Sequence, residues 1–103
     1  MLLATICFRV LPHKRAEGLS ALDTLADHMR TTPGCSRSRI VNDTEDSNAF
    51  LLLSEWSEPE RAEAFFGSRE FQIFKGIRIL LRDEPVMVLD EVRSRTTRVI
   101  RPH

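Results

Sequence analysis

The sequence predicts one α+β domain, an antiparallel sheet with helices packed on one of its faces. Three observations predict it. Residues 2–10, 35–43, 49–56 and 86–93 can be read with a period of two, the spacing of side chains across a strand. Residues 14–30 and 57–77 instead carry apolar side chains every three or four positions, which is helical spacing. At 103 residues the chain has room for one domain and little more.

The first strand places Leu2, Ala4, Ile6, Phe8 and Val10 on one face, all apolar, and Leu3, Thr5, Cys7, Arg9 and Leu11 on a mixed face. Pro12 lacks an amide to donate and ends it. From Lys14 to about Arg30 the stripe Leu19, Leu22, Leu25, Ala26 and Met29 marks an amphipathic helix, stopped by Thr31-Thr32-Pro33-Gly34. Cys35 to Asp43 is a second, weaker strand with Arg37 and Arg39 on the face of Val41, and the polar run Asn42 to Ser47 is a hairpin turn. Ala49 to Trp56 is the third strand and the candidate for the sheet centre, with Phe50, Leu52, Ser54 and Trp56 on one face. Ser57 is placed to cap the second helix, Glu60 sits at the reciprocal capping-box position, and Pro59 falls in the first turn. Ala62, Phe65 and Phe66 give that helix its apolar face. A further helical piece opens at Ser68 with Phe71, Phe74 and Ile77 inward, and Gly76 can break it. Ile77 to Leu81 fits either a helix end or extended chain. Pro85 leads into the last strand, Val86 to Arg93.

The order β-α-β-β-α-β is the ferredoxin-like, split-βαβ arrangement, with helices on one face of an antiparallel sheet. Residues 1–93 form the domain and 94–103 a basic tail. The chain's own helices shield only one sheet face. The other would expose Leu3, Cys7, Leu11, Val41, Leu51 and Leu53 together, and a second copy packed sheet to sheet about a two-fold axis covers them most simply.

Fifteen basic and fifteen acidic residues cancel, so no long-range field draws nucleic acid or acidic lipid. The acid-free run holding Arg93, Arg95, Arg98 and Arg101 reads first as an edge segment or a frayed terminus. RNA-binding sheets of this fold class need exposed aromatics, and the mixed face carries Arg9, Arg37 and Arg39 but no aromatic. No apolar window is long enough to span a membrane and no secretory leader is legible, so the expected compartment is the cytoplasm. There Cys7 and Cys35 are reduced thiols, and neither has a metal-type spacing with His13, His28 or His103. No metal is expected. No phosphate loop, dinucleotide fingerprint or flavin anchor is present, so no cofactor is expected either.

The most specific text is Phe50-Leu51-Leu52-Leu53-Ser54-Glu55-Trp56-Ser57-Glu58-Pro59-Glu60, a glutamate beside the tryptophan that closes a strand, followed by a helix start. Phe8 to Lys14, Thr32-Pro33-Gly34-Cys35 and Ser68-Arg69-Glu70-Phe71 accompany it. Together these resemble the antibiotic biosynthesis monooxygenase (ABM) family of dimeric α/β-barrel proteins, over about residues 1–93. The resemblance implies a dimeric α/β barrel and a pocket between sheet and helices, near Trp56. It also implies an activity among those of the family, which include cofactor-free oxygenation of quinols and polycyclic phenols. Two departures stand out. Family enzymes often carry a histidine in the second helix, where this chain has Phe65. The haem-degrading branch uses a strand-one asparagine and a later histidine, where this chain has Ile6 and Phe8 and the surroundings of Phe74 and Lys75.

The candidate substrate pocket is therefore Trp56, Phe8, Phe65, Phe74 and Arg39, with no catalytic residue assigned. Each has a plainer use as well. Trp56 and the phenylalanines serve a core before they serve a ligand. Arg9 and Arg39 can pair with Glu55 or Glu91, although Arg39 can also meet an anionic substrate group. His13 and His28 read as surface residues, and Cys7 and Cys35 as packing thiols without a base. Two functions remain open. One is a cofactor-independent monooxygenase of a small aromatic or quinol compound. An ionised phenol is electron-rich enough to reduce O2, and the protein would deprotonate it, exclude water and hold the anion. The other is a non-catalytic dimeric module that binds a hydrophobic metabolite or a pathway partner. A cavity beside Trp56 favours the first, and an interior filled with phenylalanine favours the second.

Overall fold

The two most apolar alternating stretches form the centre of the sheet. In the computed structural model, which describes residues 1–102, β1 (Leu2–Arg9) pairs with β3 (Ala49–Trp56). On the outer sides, β2 (Cys35–Asn42) lies beside β3 and β4 (Val86–Glu91) beside β1. All three pairings are antiparallel. A 3₁₀ turn (Pro12–Lys14) and helix α1 (Arg15–Arg30) join the first two strands. Helix α2 (Pro59–Phe66), helix α3 (Arg69–Phe74) and a 3₁₀ segment (Lys75–Leu80) join the last two. This is the expected ferredoxin-like fold. The ambiguous stretch before Leu81 is 3₁₀, and Leu81 then makes a single bridge with Val10.

Register decides which side chains meet. Ile6 lies opposite Leu52 and Phe8 opposite Phe50, so the even-numbered residues of β1 and β3 share one face. That face is buried against Leu22, Leu25, Ala26 and Met29 of α1 and Ala62 and Phe65 of α2. Burying each large apolar side chain stabilises the fold by about 1.5–3 kcal/mol. Gly34, just before β2, has a φ of 94°, and a Cβ there would lie 2.6 Å from Cβ of Arg61. Only glycine fits this contact between the β2 entry and α2.

Several local expectations change. Ser57 does not cap α2: its hydroxyl donates to the Gly34 carbonyl at 3.2 Å, and α2 starts after Glu58 without a side-chain cap. The residue that caps a helix here is Ser68, whose Oγ accepts from the Phe71 amide at 3.3 Å. Arg9 pairs with Asp83, and Glu55 is taken by Arg95, whose guanidinium donates to both carboxylate oxygens at 3.0 and 3.3 Å. Arg39 makes no ion pair among the described residues. The last strand ends at Glu91, and no regular element follows it among the described residues. Beyond it, Arg95 reaches Glu55 of β3.

The odd-numbered residues of β1 and β3 point away from the helices. With Val86 and Val88 of β4, opposite Cys7 and Thr5, they form the second sheet face. Leu3, Leu51 and Leu53 are half-buried there, while Val86 and Val88 are 59% and 46% exposed. No described helix is long and apolar enough to cross a membrane.

Candidate functional site

The helical segments do not cover their sheet face evenly. Aromatic side chains fill the space above Trp56, which is 0% exposed and donates from Nε1 to Ser54 Oγ at 2.9 Å. Ring centroids of Phe65 and Phe66 lie 5.6 and 5.9 Å from the indole, and Phe71 packs 5.0 Å from Phe66. Further along β1 the packing opens into a cleft of about 460 Å³. That lies within the range of small-molecule sites, about 300–1,000 Å³.

The cleft is mostly apolar. Ile6 and Phe8 come from β1 and Leu25 from α1. Phe71 and Phe74 of α3, Ile77 of the 3₁₀ segment, Leu81 and Pro85 complete the apolar lining. Three charged side chains join them: Lys75, Arg78 and Glu84. Arg78 donates from Nη1 to the Leu81 carbonyl at 3.0 Å. None of the three makes an ion pair among the described residues. An apolar cavity with a few charged groups is suited to a ring compound carrying a polar substituent.

The sequence-derived candidates divide. Phe8 and Phe74 line the cleft. Trp56 stands behind it within the aromatic packing, and Phe65 faces a second cleft of about 380 Å³ lined also by His28, Thr32, Arg61 and Glu70. Arg39 lies opposite Leu53 on the far face of the sheet, beside Arg37, Val41 and Glu55, and does not reach the cleft. Lys75, Arg78 and Glu84 are not among the sequence-derived candidates. A period of three across residues 71–81 would have found the two cations, because 71, 74 and 77 form one row and 75, 78 and 81 the next.

The remaining reactive side chains sit elsewhere. The His28 ring meets Phe74 edge-on with centroids 6.3 Å apart. Cys7 is exposed on the second sheet face, and Cys35 is partly buried. Burial pushes the Cys35 thiol up from its ordinary value, and the Arg37 backbone and the Arg30 guanidinium offset part of the rise. Among the described residues no three His, Cys, Asp or Glu side chains gather as a metal site. His103 lies outside the described residues.

The antibiotic biosynthesis monooxygenase family model matches residues 1–76, a span that contains β1 through α3 and the start of the 3₁₀ segment. No curated protein matches the chain in sequence. Solved structures match it in fold. A Deinococcus radiodurans protein, assigned provisionally as an antibiotic biosynthesis monooxygenase, superposes with a TM-score of 0.88 at 15% identity, over 96% of this chain and 99% of that one. A Nitrosomonas europaea protein with the same provisional assignment gives 0.82 at 15% identity, over 91% and 100%. SnoaB, a cofactor-independent oxygenase from Streptomyces nogalater, gives 0.78 at 17% identity, over 91% and 94%.

Proposed function

Because the chain belongs to the antibiotic biosynthesis monooxygenase family, we propose that it is a cofactor-independent monooxygenase of a small aromatic or quinol compound, working as a cytoplasmic homodimer. The observation that carries this reading is the cleft on β1, walled by Phe8, Phe71, Phe74 and Ile77 and bearing one carboxylate, Glu84. A phenolic ring bound between the apolar walls is shielded from water on those sides. Glu84 is the group assigned to take the phenolic proton, in place of the histidine that Phe65 replaces. The resulting anion is the electron donor to O2. The substrate supplies both the ring and the electrons, so the reaction asks the protein for deprotonation, orientation and exclusion of water.

The test is oxygen uptake with a panel of hydroquinones and polycyclic phenols. Uptake should depend on the protein and fall by about 10²-fold or more in Glu84→Gln, the scale of a lost general base. Absence of protein-dependent uptake across the panel contradicts the enzyme reading. One observation favours the other reading, a non-catalytic dimeric module that binds a hydrophobic metabolite: the interior around Trp56 is filled by Phe65, Phe66 and Phe71. Ring compounds that bind without consuming oxygen would establish it.

A further inference from the structure

The helical segment over the cleft has two registers of side chains. In a 3₁₀ helix residues three apart eclipse one another. The row Phe74–Ile77 therefore presents apolar groups, and the row Lys75–Arg78 beside it presents two cations, all four on the cleft lining. Neither cation is neutralised from within. The lining holds a single carboxylate, Glu84, and no described carboxylate comes within ion-pair distance of Lys75 or Arg78. Arg78 spends one N–H on the Leu81 carbonyl, which fixes the guanidinium at the cleft wall. The outcome is an apolar cavity with a formal surplus of one positive charge. Both cations are exposed at the cleft rim, so water and salt screen that charge in part.

From this geometry we propose that the cleft selects apolar ring compounds that carry one negative oxygen group, a carboxylate or an ionised phenol, with Lys75 as its contact and Arg78 alongside. This rests on the reading of the cleft as the ligand site and adds the charge of the ligand. In the oxygenase reading it also gives Lys75 a task, holding the phenolate that Glu84 has produced.

The experiment is calorimetric titration of the full 103-residue chain with three probes of one ring system: naphthoate for the carboxylate, dinitronaphthol (ionised at neutral pH) for the phenolate, and naphthamide as the neutral control. At least one anion should bind about tenfold or more tighter than naphthamide, the scale of one hydrogen bond to a charged group. Lys75→Gln should bring that ratio below about threefold, and Lys75→Arg should preserve it. Raising salt from about 50 mM to about 500 mM should erode the ratio in the wild type. Thermal melts confirm that the variants fold, and the salt series tests the same point with no substitution. Naphthamide binding as tightly as both anions, or an undiminished ratio in folded Lys75→Gln, overturns the proposal and leaves a neutral ligand cleft standing. If no probe binds the wild type, the cleft reading falls with it.

Discussion

At Trp56 a single side chain joins a polar obligation to a packing one. Its indole N–H is the donor for the buried Ser54 hydroxyl, and its ring fills the space between β3 and α2. Trp56→Phe leaves Ser54 without that donor and opens a void, so urea unfolding should show a loss of about 1–3 kcal/mol. Trp56 is not on the cleft lining, so the same variant should keep its affinity for ring compounds. Cys35 is a second test at this scale. Its thiol titrates above the ordinary range because it is partly buried, and the thiolate is the nucleophile. Iodoacetamide at mildly alkaline pH should therefore modify Cys35 in the folded protein more slowly than in the urea-unfolded chain. The sign for stability follows. Between the ordinary thiol value and the raised folded one, the unfolded chain has lost a proton that the folded chain keeps, so stability falls as pH rises through that window. Cys35→Ser should flatten the decline. Residue-level reading of the sequence succeeded where parity governs: Phe50, Leu52, Ser54 and Trp56 alternate inward as the period of two requires. The same parity puts Arg39 on the far face with Leu53, because residues directly opposite in an antiparallel pair point to the same side.

Among the elements, those that depend only on local sequence were legible and those completed by distant partners were not. Strands β1 and β3 and helix α1 follow from periodicity. The motif Ser57-x-x-Glu60 is a capping box in sequence, yet the Gly34 carbonyl, 23 positions away, claims the serine hydroxyl. The stretch Ile77 to Leu81 reads as either helix end or extended chain because most of it belongs to a 3₁₀ segment, Lys75–Leu80, too short to show a period. Arg78 falls within that stretch, whereas Lys75 lies in the piece read as helical. The tail likewise takes its place from a long-range contact, the forked pair between Arg95 and Glu55. The pair is open to water on its Arg95 side and screened there, and Gln keeps a hydrogen-bonding group at position 55, so Glu55→Gln should move the unfolding midpoint little. It should instead release the tail. Limited trypsin digestion at Arg95 and Arg98 should run several-fold faster in Glu55→Gln than in the wild type, with the domain left whole, and equal rates would mean that the pair does not hold the tail.

For the whole molecule, helices cover one sheet face except at the cleft, and the other face is half apolar. Leu3, Leu51, Leu53, Val86 and Val88 lie together on the latter. A two-fold contact between two such faces is the arrangement we propose, since it removes this patch from water in both copies at once. Sedimentation at micromolar concentration should give a species near twice 11.8 kDa, and Leu53→Glu should halve it by setting a charge in each centre. A wild-type monomer would contradict the pairing. The cleft lies across the sheet from that face, so its ligand chemistry and the dimer contact are separable. The most direct test of the functional account is amide chemical-shift mapping by NMR on the isotope-labelled protein, titrated with dihydroxynaphthalene under argon. Saturable shifts at Ile6, Phe8, Phe74, Ile77 and Leu81 are the expected result. Shifts centred instead on His28, Thr32 and Arg61, or on Leu3 and Leu53, would place the ligand elsewhere and contradict it.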